Sequence, residues 1–81
     1  MSLKEEKRAM DHPAYDDALR RATNRAAVGC ESVVCFDGKA IFVTTQGACP
    51  EYATAICVAQ RWDDQTVQLR FAGARSEWVK F

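Results

Sequence analysis

Between residues 31 and 44, apolar side chains occupy both parities of an extended chain. The run Val33-Val34-Cys35-Phe36 leads into Asp37-Gly38, and Ala40-Ile41-Phe42-Val43 follows. Asp-Gly between two β-rich runs predicts a tight hairpin, because a type I′ turn needs positive φ at both central positions. A minimal loop sets Phe36 opposite Lys39, Val34 opposite Ile41 and Ser32 opposite Val43. Side chains alternate across a strand. One face then carries Ser32, Val34, Phe36, Lys39, Ile41 and Val43; the other carries Glu31, Val33, Cys35, Ala40, Phe42 and Thr44. A half-solvated hairpin would be polar on one of them. Both faces therefore call for cover.

Upstream, the period changes from two to that of a helix. Asp11-His12-Pro13 is a start signal and Gly29 a natural stop. Between them Tyr15, Ala18, Leu19, Ala22 and Ala26 fall on one face. Asp16 with Arg20 and Asp17 with Arg21 are spaced as i,i+4 ion pairs. The alanine-rich stripe predicts close packing on a sheet, over one face only. Before this helix, Ser2-Leu3-Lys4-Glu5 matches a capping box for a short charged helix running to Met10. Residues 1–10 form a charged segment with little to bury, for which a frayed terminus and a docked helix are equal expectations.

Downstream, Gly47 and Pro50 mark a loop over 44–51. The segment Tyr52–Trp62 fits either a strand or a helix by period alone. Thr66–Ala72 alternates cleanly, with Val67, Leu69 and Phe71 on one side. A turn at Asp63-Asp64 would set Trp62 opposite Gln65, Gln60 opposite Val67, Val58 opposite Leu69 and Ile56 opposite Phe71. Turn and pattern then agree, and a second hairpin is the preferred reading. Gly73-Ala74-Arg75 reads as a turn before a last strand over 77–81. The fold class is α+β. Residues 11–81 form one domain, with an N-terminal helix on one face of a four- to five-stranded antiparallel meander sheet. The alternatives are a small Sm- or SH3-like barrel with an N-terminal helix, and a helix–hairpin–helix–hairpin order.

Composition narrows the function classes. The chain has 81 residues, 48% hydrophobic and 27% charged, which is globular rather than disordered. A domain this small buries only about 60% of its unfolded surface, so its core is thin. Eleven basic and eleven acidic residues cancel. That argues against broad electrostatic binding to nucleic acid or an anionic membrane, and it opposes self-association little. There is no apolar run of roughly 18 residues and no signal-type segment, so a cytoplasmic protein is expected.

Candidate chemistry is sparse. Four cysteines stand at 30, 35, 49 and 57, with no C-x-x-C pair and a single histidine, His12. Neither zinc nor a disulfide framework is expected, and buried reduced thiols are the simpler reading. No cofactor motif is present. Cys49, in the loop Gln46-Gly47-Ala48-Cys49-Pro50-Glu51, is the candidate reactive thiol. It lacks a visible activating partner, since a nucleophilic thiolate needs a nearby cation or histidine. Arg20, Arg21 and Arg25 on the helix, and Arg70, Arg75 and Lys80 near the tryptophans, are the basic groups a single-stranded nucleic acid would use. With zero net charge, and Asp16 and Asp17 beside the helix group, a solvated charged surface is the better reading.

The second hairpin's other face carries Ala55, Cys57, Ala59, Arg61, Thr66, Gln68, Arg70 and Ala72. Laid beside Val33, Cys35, Ala40 and Phe42, it gives a band of small apolar groups fringed by Arg61 and Arg70. Such a band suits a self-complementary interface. Trp62 and Trp78 read as core or interface anchors, and with Tyr52 they are candidate walls for a small-molecule pocket at a dimer seam. The function expected from the sequence is a small non-enzymatic binding module acting as a homodimer through an apolar sheet face. A thiol-dependent or small-molecule-binding enzyme using the Cys49 loop is the alternative, and a weak nucleic-acid binder the third.

Overall fold

A computed structural model describes residues 3–73 and 75–81 of the chain. Helix α1 spans Leu3–Met10 and α2 spans Tyr15–Ala27. Five strands follow: β1 Ser32–Phe36, β2 Ile41–Thr45, β3 Thr54–Asp63, β4 Thr66–Phe71 and β5 Ser76–Lys80. They form one antiparallel sheet in the order β2-β1-β3-β4-β5. This is the expected α+β arrangement, with the N-terminal helical segment on one face of the sheet. The sheet stays open, with β2 and β5 at its edges, which sets aside the barrel. Thr54–Asp63 is a strand, which sets aside the second helix. No helix among the described residues is long and apolar enough to cross a membrane.

Helix α2 forms where its stripe predicts. Tyr15, Ala18, Ala22 and Ala26 are buried, and Leu19 packs at their margin. Its end is a Schellman motif: Gly29, at φ +90°, donates to the Ala26 carbonyl, and the Cys30 N–H donates to that of Arg25. In place of the expected i,i+4 pairs, Arg20 reaches back to Asp17 at i,i+3 and 2.6 Å. Ala9 of the charged first helix is fully buried against this core. The Ser2 cap of the expected capping box lies outside the described residues.

The first hairpin forms with a wider turn than expected. Phe36 pairs with Ile41, and Val34 with Val43. The Asp37 carboxylate accepts from the backbone N–H groups of Lys39 and Ala40 at 2.8 and 2.7 Å, which takes four residues to turn the chain. The register moves by two, so the predicted faces survive. His12 and Arg8 fasten this turn to the helices. The Ala14 N–H donates to His12 Nδ1, so Nε2 carries the proton and donates to the Lys39 carbonyl at 3.0 Å. Arg8 donates to the Gly38 carbonyl at 3.4 Å.

The second hairpin forms one residue out of the expected register. Cys57 faces Phe71, Ala59 faces Leu69 and Val58 faces Arg70. The turn falls at Asp64-Gln65, and a bulge at Trp62 absorbs the extra residue. A one-residue slip exchanges faces, so Cys57 and Ala59 lie beneath α2 with Val67, Leu69 and Phe71. Packing explains this choice. An alanine-faced helix reaches the sheet only where the strand below is also small, and Cys57 and Ala59 are 2% and 0% exposed. A second bulge, at Ile56, turns that side chain into the same core.

Candidate functional site

The sheet face opposite α2 divides into two halves. On the β1 half, Val33 and Cys35 point away from the helix, yet both are buried. The cover is the β2–β3 connection. Strands β2 and β3 run parallel on either side of β1, so residues 46–53 must cross the length of β1. They cross on the outer face. The Gln46 N–H donates to the Glu31 carbonyl, and Cys49 Sγ lies 3.1 Å from Cys35 Sγ. Every residue of β1 is therefore buried, by the helix on one side and by its own chain on the other.

This corrects the expected continuous apolar band. Val33 and Cys35 are covered internally. Ala40 is in the turn, and Phe42 is half-buried on the β2 edge. Cys57 belongs to the core on the other side. The sequence reading failed here because it assumed the relative register of the two hairpins and gave the connection no part in packing.

On the β3–β5 half the face is polar along its length and aromatic at one end. Gln60 Nε2 donates to Gln68 Oε1 at 2.9 Å, and Arg70 reaches Gln60 Oε1 at 3.5 Å. Gln68 is buried under the aromatic end. There Trp62, on the same face as Gln60 two residues before it, meets Trp78 of β5 edge-on, ring centroids 5.9 Å apart and planes at 84°. Both rings stay more than half exposed, while Val79 and Phe81 are open on the other side of the same sheet edge. Arg61 lies over the Phe81 ring at 5.9 Å and against Asp64 at 3.7 Å. Arg75 stacks on Phe71 at 4.3 Å and approaches Glu77 at 4.0 Å. The structure thus brings Trp62 and Trp78 together, sets Arg70 at the far end of the polar row, turns Arg61 to the α2 side of the sheet beside Phe81, and leaves Tyr52 exposed on the connection.

The basic groups do not make one surface. Arg20, Arg21 and Arg25 belong to α2, on the opposite side of the sheet from the tryptophans, and Arg25 donates to Thr45 Oγ1 at 3.4 Å. Nor do Cys49 and His12 form a catalytic pair. Cys49 is on the outer face, whereas His12 stands edge-on to Phe36, 6.2 Å away on the helix side. Among the described residues no three His, Cys, Asp or Glu side chains gather as metal ligands.

The cysteine pair is what sequence reasoning missed. Burial pushes the Cys35 thiol up to about 12, and the neighbouring Cys49 thiol adds to the rise. The available signal was the need to cover Cys35, with a cysteine in the long loop between the two hairpins. Compared with known proteins, the chain matches no family model, no curated protein and no solved structure.

Proposed function

We propose that the protein is a non-enzymatic binding module that pairs with a second copy of itself along β5. The observation that carries this reading is the exposed Trp62–Trp78 cluster beside an open sheet edge. Grouped exposed aromatic side chains mark contact surfaces, and tryptophan is a frequent energetic anchor. An edge strand offers backbone donors and acceptors that an added strand can satisfy.

Symmetry favours a second copy as the occupant. Trp78 is the middle residue of β5. Antiparallel pairing about a twofold axis at that residue sets the two Trp78 side chains together on one face. Glu77 then faces Val79 of the second copy and Ser76 faces Lys80, so no like charges are opposed. The zero net charge of the chain adds no long-range repulsion.

Sedimentation across about 1 to 500 µM, a range that detects dissociation constants from tight to weak, tests the proposal. A reversible monomer–dimer equilibrium, lost in Trp78→Ala, is expected. A wild-type monomer at every concentration overturns it, as does a dimer indifferent to Trp78→Ala.

A further inference from the structure

We infer that Cys35 and Cys49 form an oxidisable dithiol site whose reaction partner is a small soluble disulfide and whose product is an internal Cys35–Cys49 bond. This goes beyond the dimer reading and does not depend on it.

Placement carries the inference. Cys35 is fully buried in β1, and Cys49 sits directly over it in the crossing connection, their sulfurs 3.1 Å apart. A disulfide needs about 2.05 Å, so closure asks for roughly 1 Å of movement by a loop residue rather than by the core strand. No other cysteine competes. Cys30 is exposed, and five residues of extended chain place it about 16 Å from Cys35. Cys57 lies on the far side of the sheet, under α2.

The two thiols differ in access, which fixes the order of events. Half-buried Cys49 meets a reagent first. Its thiolate attacks one sulfur of the small disulfide, the reagent's S–S bond breaks, and one half leaves as a thiolate. The other half stays on Cys49 as a mixed disulfide. Cys35 then gives its proton to solvent and attacks the Cys49 sulfur, and the second half of the reagent departs. Two protein thiols have lost two electrons, and the reagent has become two thiols. Because the buried Cys35 thiol resists ionisation, this closing step accelerates as pH rises through the alkaline range.

Oxidised glutathione added to the full-length reduced protein is the test. Closure should lower the mass by about 2 Da, the loss of two hydrogens, apart from any glutathione taken up by exposed Cys30, and fragmentation should place the link between residues 35 and 49. Cys30→Ser should close equally well. Cys35→Ser should keep glutathione on Cys49, and Cys49→Ser should leave Cys35 unmodified while the fold is intact by circular dichroism. A wild-type protein that keeps glutathione on Cys49 without closing overturns the inference. So does a link that uses Cys30 or Cys57, and so does an unmodified Cys49.

Discussion

Trp78→Ala is the most direct probe of how the outer face is built. A tryptophan side chain offers on the order of 250 Å² of surface. Trp78 is 52% exposed, so about half of that, ~120 Å², is removed from water within one copy. At about 25 cal/mol per Å² this is ~3 kcal/mol, and allowing for a compact unfolded chain brings it to ~2 kcal/mol. The edge-on contact with Trp62 adds about 1 kcal/mol, measurable as the coupling in a Trp62→Ala, Trp78→Ala double-mutant cycle. Urea unfolding should be followed by far-ultraviolet circular dichroism, since fluorescence would be altered by the substitution itself. It should be run at a concentration where sedimentation finds only monomer, so that assembly does not enter. With a slope near 1 kcal/mol per M for a chain this small, the combined loss of about 3 kcal/mol should lower the midpoint by about 3 M. A loss under about 0.5 kcal/mol, or a coupling indistinguishable from zero, would refute the packing of the two rings over Gln68.

Two further outcomes follow from the other side of the sheet and from its turns. Ala22→Leu inserts a large side chain where α2 meets the sheet at a fully buried position, and chemical unfolding should register a loss of about 1–3 kcal/mol. Asp37 and Asp63 are held below the ordinary carboxylate range by backbone N–H donors, chiefly from Ala40 and Gln65 respectively. Since the folded state lowers their affinity for protons, their contribution is present at neutral pH and is lost as pH falls below about 4. Acid titration of the urea midpoint should show that loss, reduced in an Asp37→Asn, Asp63→Asn double variant, whose amide oxygens can still accept.

The parts of the fold legible in the sequence are those set by local chemistry. The alanine stripe of α2, the stop at Gly29 and the alternation through Val67, Leu69 and Phe71 each rest on a few neighbouring residues, and each formed. The Asp37 turn was legible in existence and not in size. The carboxylate can bridge to either of two following amides, and it bridges to both. A change of two in register left every face in place. At the second turn a change of one did not, and Trp62 decided it. Its ring is too large to lie under an alanine-lined helix, and in the observed register it alternates to the outer face with Val58 and Gln60, the bulge absorbing the extra residue before the turn. Local pattern favoured Ile56, Val58 and Trp62 on one side; the volume available beneath α2 favoured Cys57 and Ala59. The cover over Cys35 was hidden for another reason. It depends on β3 joining β1 rather than β2, a long-range choice that residues 46–53 do not announce.

That strand order has a kinetic consequence. The sheet cannot zip up in sequence, because each flank assembles from neighbours in the chain, β1 with β2 and β3 with β4 and β5, while the β1–β3 ladder joins residues 18 to 27 positions apart. Closing that ladder carries the largest loop entropy of any strand pairing in the sheet, and only then does α2 gain a complete floor and the 46–53 connection something to cross. The protein is thus two locally formed halves welded along a single seam, and its cooperativity resides in the weld.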